Sequence, residues 1–348
     1  MRRPPPTGCQ SSGVRLEYRS AGADLEQISE PPLWRCLQSD ANREIRHAPG
    51  HLFVGTGPAS LPPSMTLPGE AVALVLLAAF LHASWNALVK AGHDRLVVLA
   101  IANATGVLVS LLIAPFVSLP LPASWPFLLA SVVLHTGYYF FLIHAYRVGD
   151  LSHVYPLARG LSPMLVALLA AVFANEIPSP LGMAGVALAC AGIISLAFDS
   201  GPPWRGDLRP LGHAAGTAVF IAAYTIADGM GVRRAGEPLS YIAWLMIIDG
   251  IPIVCFTAYV RRHALLATLG GSWRAGCTSG VLQFGAYALV IWAMSLGAMA
   301  SVSALRETSV IFATFIGAVL LKERVGPLRI GAALLVAMGI ALMRMEEI

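Results

Sequence analysis

The sequence predicts an all-α polytopic membrane protein, with ten transmembrane helices arranged as two inverted five-helix repeats. Three observations carry that expectation. Hydrophobic residues fill 56% of the 348 positions and charged residues only 12%, about half the charged share of an ordinary soluble domain. The apolar residues gather into ten stretches long enough to cross a bilayer, and the second half of the chain repeats the first.

A hydrocarbon core of about 30 Å requires roughly 20 apolar residues in helical form, because no water is present to bond the backbone. Stretches of that kind run approximately over 69–90, 96–118, 124–147, 152–174, 180–198, 209–231, 239–260, 273–296, 299–321 and 327–344. Short connections rich in turn and charged residues separate them, among them KAGHDR, SLPLPAS, NEIPSP, DSGPPWRGD and KERVGP. They leave no room for an added soluble domain. Residues 1–64, with MRRPPPTG and SLPPSM, are rich in Pro, Ser and Arg and contain no long apolar run. They are expected to be disordered, or an extension ahead of a true start at Met65.

The net charge of +4 comes from basic residues that sit in short loops between apolar runs, which marks topology and argues against a nucleic-acid partner. Loops that follow odd-numbered spans hold most of the membrane domain's Lys and Arg. Taken alone, the positive-inside rule puts those loops in the cytoplasm and both ends of the membrane domain outside, whereas the basic tail 1–64 favours the opposite orientation. Cys9, Cys36, Cys190, Cys255 and Cys277 form no CxxC or metal-ligand spacing, so neither a disulfide framework nor a zinc site is expected. No GxxxxGK[ST] loop is present either, so ATP is not the expected motor and no cofactor is implied.

Residues 137–154 lie on 285–302 at a constant offset, pairing Tyr139 with Tyr287, Ile143 with Ile291 and Gly149 with Gly297. After a one-residue slip the match continues, pairing Arg159 with Arg306, Ser162 with Ser309, Glu176 with Glu323, Pro180 with Pro327 and Gly192 with Gly339. Each copy holds five spans, taken as 66–198 and 209–345. Five is odd, so the second copy enters the membrane from the opposite side, as in secondary transporters that alternate a midplane site between two faces.

HASWNALVK, YPLARGLSPMLVALLAAVFANE with PLGMAGVALACAGI, and SALRETSVIFATFIGAVLLKERVGPLRIGAALLVAMGI resemble the paired repeats of the EamA family of the drug/metabolite transporter superfamily. The likeness covers roughly residues 66–345. It implies a ten-helix carrier of small metabolites in a cell membrane, multi-pass, working as a monomer or homodimer without ATPase machinery.

Ionisable groups inside a membrane are costly and call for a partner or a task. In the earlier spans the repeat lays His82 and Asn86 on Tyr224 and Asp228, and Asn103 on Asp249. Spacing of four places His82 with Asn86, Tyr224 with Asp228, His135 with Tyr139, and Gln283 with Tyr287 on shared helix faces. These faces, with Trp85, are expected to line a central site where aromatics stack on an organic solute and polar tips orient it. For Trp85, His135, Tyr139 and Tyr287 a packing or interfacial-belt role competes, and for Asp228 an end-of-helix ion pair. Asp249 sits near mid-span and is the candidate for proton coupling, against a structural bond at its own helix break by Gly250 and Pro252. Arg159, with Tyr155 in the same YPLARGLSP motif, and Arg306 with Glu307 complete the candidate substrate-binding set. Arg159 is placed to meet an anionic substrate group, to meet a carboxylate across the repeat interface, or to snorkel outward. Glu176 and Glu323 are expected to cap or pair locally. GHAAG (212–216) and GCTSG (276–280) are expected to serve close helix packing.

The reading of function is secondary transport of a small organic metabolite, amino-acid-like or otherwise polar or amphipathic. Intramembrane enzymes compete. Lys322 and Arg329 have the spacing of a lipid-phosphatase KxxxxxxRP run, but Ile330 replaces the proline, no PSGH follows, and HExxH is absent. A non-transporting scaffold or receptor has little reason to carry polar faces on both halves.

Overall fold

A computed structural model describes residues 67–91, 94–148, 151–199, 208–261, 265–319 and 326–345. The tail 1–64 and Glu323 lie outside them. The described helices are α1 Gly69–Ala91, α2 Arg95–Ile113, α3 Trp125–Val148, α4 Leu151–Ala174, α5 Pro180–Ser195, α6 Arg209–Val232, α7 Pro238–Val260, α8 Leu265–Leu296, α9 Met299–Arg306, α10 Ser309–Val319 and α11 Pro327–Met345. Short 3₁₀ turns extend α2 over Ala114–Phe116 and α5 over Leu196–Phe198.

Two departures from the expected spans are evident. Helix α8 begins at Leu265, inside a stretch read as loop. The ninth span is broken into α9 and α10 at Glu307 and Thr308. Across this break Glu307 N–H bonds to Ala304 O at 3.1 Å and Thr308 N–H to Leu305 O at 3.1 Å, i→i−3 bonds that tighten the turn. Thr308 Oγ1 also donates to the Leu305 carbonyl at 2.8 Å, so a side chain competes for the helix's own acceptors.

Among the described residues, nine spans are long and apolar enough to cross a membrane, α9 and α10 counting together as one. Helix α3, 24 residues long, supplies the tenth crossing, and contacts between loops require it. Asp94 after α1 pairs with Arg261 after α7 at 3.1 Å, and Ser240 at the start of α7 donates to Ser118 O before α3 at 2.6 Å. Arg344 at the end of α11 reaches Leu67 O before α1 at 3.0 Å. Each contact joins chain ends that lie on one side only if all ten spans cross. Large side chains such as Leu112, Val133, Val172 and Phe315 are exposed, as lipid solvation allows.

The pairing of helices reproduces the repeat. Helix α3 packs on α6 as α8 packs on α1, α4 packs on α6 as α9 and α10 pack on α1, and α5 lies along its own repeat partner α11. At the α5–α11 contact a Cβ added to Gly185 would meet Gly339 O at 2.5 Å, and one added to Gly192 would meet Ala332 O at 2.9 Å. Bare glycines let these two backbones touch. The GCTSG segment serves the same end, with Gly276 against Ile101 and Gly280 against Ala102 O of α2. In GHAAG only Gly216 does so, facing the Phe141 ring, while Gly212 has nothing within 4 Å.

Candidate functional site

The helix break brings charge to the centre. Glu307 is fully buried, and its carboxylate Oε1 lies 2.9 Å from Nη2 of Arg159 on α4. Arg306, its neighbour in sequence, places Nε 4.0 Å from the same oxygen. Exposures of 7% for Arg159 and 4% for Arg306 show that neither arginine snorkels. The carboxylate that Arg159 meets across the repeat interface is therefore Glu307. Beyond this ion pair, Arg159 Nη2, both Glu307 oxygens, and Arg306 Nε and Nη2 are buried with no further hydrogen-bond partner in the protein. Two guanidinium groups face one carboxylate here, an arrangement that leaves unused donors and one net positive charge.

The backbone of α4 explains how Arg159 is held inward. Pro156 and Pro163 lie within this helix, and a proline at 163 offers no N–H to the carbonyl four residues earlier. That carbonyl belongs to Arg159, and Ser162 Oγ donates to it at 3.0 Å. YPLARGLSP thus carries both the disruption and its repair.

Beside the charges lies an aromatic and carboxylate network. Asp228, fully buried on α6, accepts at Oδ1 from Tyr241 of α7 at 3.0 Å and at Oδ2 from the Tyr287 hydroxyl of α8. It makes no end-of-helix ion pair with the VRR segment, because Arg233 binds Glu176 and Arg234 donates to Met230 O and lies over the Phe127 ring. His135 of α3 stacks on Tyr224 of α6 with centroids 3.9 Å apart and planes at 19°. It meets Tyr287 edge-on, with Nε2 3.3 Å from the hydroxyl. Its Nδ1 lies 3.0 Å from Ser131 O, 3.1 Å from Ser131 Oγ and 3.7 Å from Asp249 Oδ1. None of His135, Tyr224 and Asp228 is exposed by more than 6%, so they form the interior of the bundle and no interfacial belt.

The remaining candidates fall around this centre. Tyr139 lies close enough to Asn103 and Asp249 to interact with both, His82 is within electrostatic reach of Arg159 and Arg306, and Tyr155 is within reach of Arg159. Trp85 packs edge-on to His82 at 5.3 Å, with its indole Nε1 buried and without a partner. Gln283 has a buried Oε1 in the same condition. Asn86 turns its amide back to His82 O at 2.8 Å, as Asn103 does to Leu99 O at 2.9 Å, so the amides donate to their own helices. Tyr241 and Ser131 were missed by the sequence reading. Tyr241 stands two turns before Asp249 on α7, a spacing that could have found it.

Glu176 departs from its expected local role. Asn175 adopts a left-handed φ of 55°, which ends α4 and swings Glu176 toward the second repeat. One carboxylate oxygen binds Arg233 Nη1 and the other accepts from the N–H of Met299, the first residue of α9, at 2.8 Å. Arg233 also donates to Met294 O at 2.8 Å and Gly297 O at 2.7 Å. The result is a clamp between halves that holds the entry to the broken span. Among the described residues no group of His, Cys, Asp and Glu could hold a metal ion.

Comparison with known proteins accounts for the duplication. Residues 69–198 and again 211–345 match the EamA-like transporter family. The chain belongs to that family. This EamA-like transporter is a multi-pass membrane protein of the drug/metabolite transporter superfamily, whose members are transporters and not enzymes. Among solved structures, a protein known from a crystal structure aligns with a TM-score of 0.66 over 80% of this chain and 97% of its own, at 20% identity, which is a likeness of fold. No curated protein matches.

Proposed function

We propose that this EamA-like transporter moves a small organic metabolite, amino-acid-like or otherwise polar or amphipathic, across the cell membrane by alternating access, with Asp249 coupling the movement to protons. The observation that carries the reading is the Arg159–Glu307 contact. It joins the two repeats at a helix break, where rocking of one half against the other would open or close it. Arg306 and Glu307 keep unfilled donors and acceptors, so a solute with complementary polar groups gains bonds that the protein does not make by itself. Tyr139, Tyr224 and Trp85 provide aromatic faces beside them, suited to an organic body. A partly buried carboxylate such as Asp249 links the two flows when it binds a proton in one facing state and releases it in the other.

The test is uptake and efflux in reconstituted vesicles against a panel of metabolites, with and without a pH gradient. At least one polar organic solute is expected to accumulate faster than in protein-free vesicles, and Asp249→Asn is expected to abolish the gradient's effect while leaving equilibrative exchange. No transport of any panel member would overturn the transport reading. Undiminished gradient-driven transport by Asp249→Asn would overturn the coupling.

A further inference from the structure

His135, Tyr287 and Asp228 invite a count of protons. Nδ1 of His135 lies 3.0 Å from the Ser131 carbonyl, which can only accept, and 3.1 Å from Ser131 Oγ, which can accept or donate, so a hydrogen on Nδ1 is the choice that suits both contacts. Tyr287 has one hydroxyl proton, and it is directed to Asp228 Oδ2. The Tyr287 oxygen also lies 3.3 Å from His135 Nε2. If Nε2 carried no proton, two lone pairs would face each other there, in a dry site where such a mismatch is costly. With the hydrogen on Nδ1, the bonds close when the group holds one further proton.

We infer that His135, Tyr287 and Asp228 form a single proton-binding site, in which Tyr287 passes one proton between the imidazole and the carboxylate. In one arrangement Nε2–H donates to the Tyr287 oxygen and the Tyr287 hydroxyl donates to ionised Asp228. In the other, Nε2–H has broken and its proton has become the Tyr287 hydroxyl proton, while the former hydroxyl proton sits on Asp228. The first is imidazolium with carboxylate and the second is neutral imidazole with carboxylic acid, so protons and charge balance. Tyr241 holds the other oxygen of Asp228 at 3.0 Å, and the Tyr224 ring stacked at 3.9 Å fixes the imidazole plane. The remaining charged groups facing His135 are Asp249, 3.7 Å from Nδ1, and Arg306 at the end of α9.

The site straddles the repeats. His135 belongs to the first half, and Tyr287 and Asp228 to the second, so any movement that parts α3 from α6 and α8 separates Nε2 from Tyr287 and leaves the shared proton on one partner. Its purpose rests on the proton-coupled reading above, in which Asp249 then exchanges protons with a second group and does not act alone.

The experiment is magic-angle-spinning NMR of the full chain in lipid nanodiscs, with ¹⁵N-labelled histidine and ¹³C-labelled aspartate, titrated in pH. His135→Gln assigns the imidazole signals and Asp228→Asn the carboxyl signal. In wild type, Nδ1 is expected to be protonated throughout, and Nε2 and the Asp228 carboxyl to titrate with one common midpoint. In Tyr287→Phe the two midpoints are expected to part by about one pH unit or more, a tenfold change in proton affinity. Wild-type protein with Nδ1 unprotonated, or with separate midpoints for Nε2 and Asp228, overturns the shared site even if Tyr287→Phe fails to fold. A common midpoint in protein that moves no solute in the vesicle assay upholds the site and overturns the transport reading alone.

Discussion

Arg159 of the first repeat and Glu307 of the second meet at 2.9 Å in the buried centre of the bundle. Each is the other's strongest electrostatic partner. Removing Glu307 leaves both guanidinium groups in low dielectric without a counter-charge, which typically costs about 3–5 kcal/mol, whereas removing Arg159 leaves Glu307 facing Arg306 at 4.0 Å. Glu307→Gln is expected to lower the detergent melting temperature strongly and Arg159→Gln less, and the double variant to recover part of the Glu307→Gln loss. Additive losses in the double variant would show that the two charges act independently.

The Glu176–Arg233 clamp depends on geometry as much as on charge. Arg233 serves the Glu176 carboxylate and two backbone carbonyls with three separate nitrogens, a spread that a lysine ammonium cannot reproduce. Arg233→Lys keeps the charge but is expected to lose two of these bonds, each worth about 0.5–1.5 kcal/mol, and Glu176→Ala to cost more because Met299 N–H is then left unpaired as well. Melting curves of the two variants give the order. Wild-type stability in Arg233→Lys would reduce the clamp to simple charge pairing.

Much of this architecture was legible in the sequence, and the reason is solvent. Lipid demands unbroken apolar helices, so hydropathy marks the spans, and the paired Arg159 and Arg306 mark the repeat. What stayed hidden depends on where a side chain goes after packing. Asp228 stood before a basic loop and yet points inward, because Tyr241 and Tyr287 bond it from two other helices. Asn86 matched Asp228 by repeat but bonds its own helix. Glu176 reads as a local cap until the left-handed Asn175 turns it toward Arg233 and Met299. The break in the ninth span contains no Pro or Gly, and only the run of polar residues Arg306, Glu307, Thr308 and Ser309 hinted that side chains would compete with the helix there.

Glycine positions in this bundle divide by what surrounds them. A Cβ at Gly185 would stand 2.5 Å from Gly339 O, whereas one at Gly212 meets nothing within 4 Å. Gly185→Ala is expected to push α5 from α11 at a cost of about 1–3 kcal/mol. Gly212→Ala is expected to stabilise α6 by up to about 1 kcal/mol, because alanine loses less backbone freedom in a helix. Thermal unfolding of both in the same detergent checks the opposite signs. Equal effects would mean that the α5–α11 contact yields without strain.

Ser162 and Pro163 allow a sharper test of how Arg159 is held. Ser162 Oγ donates to the Arg159 carbonyl at 3.0 Å, and it is needed there because residue 163 is proline and has no N–H to offer. Ser162→Ala should therefore leave a buried carbonyl unpaired, at about 1–3 kcal/mol. Pro163→Ala restores the N–H that the carbonyl would normally receive, so Ser162→Ala made in that background should be close to neutral. A double-mutant cycle on melting free energies measures the coupling, expected at about 1 kcal/mol or more and favourable to the double variant. Should Ser162→Ala cost the same in both backgrounds, the hydroxyl is acting on some group other than the Arg159 carbonyl. A coupling of the expected sign ties the proline that disrupts the helix to the serine that repairs it, four and three residues from the charge they position.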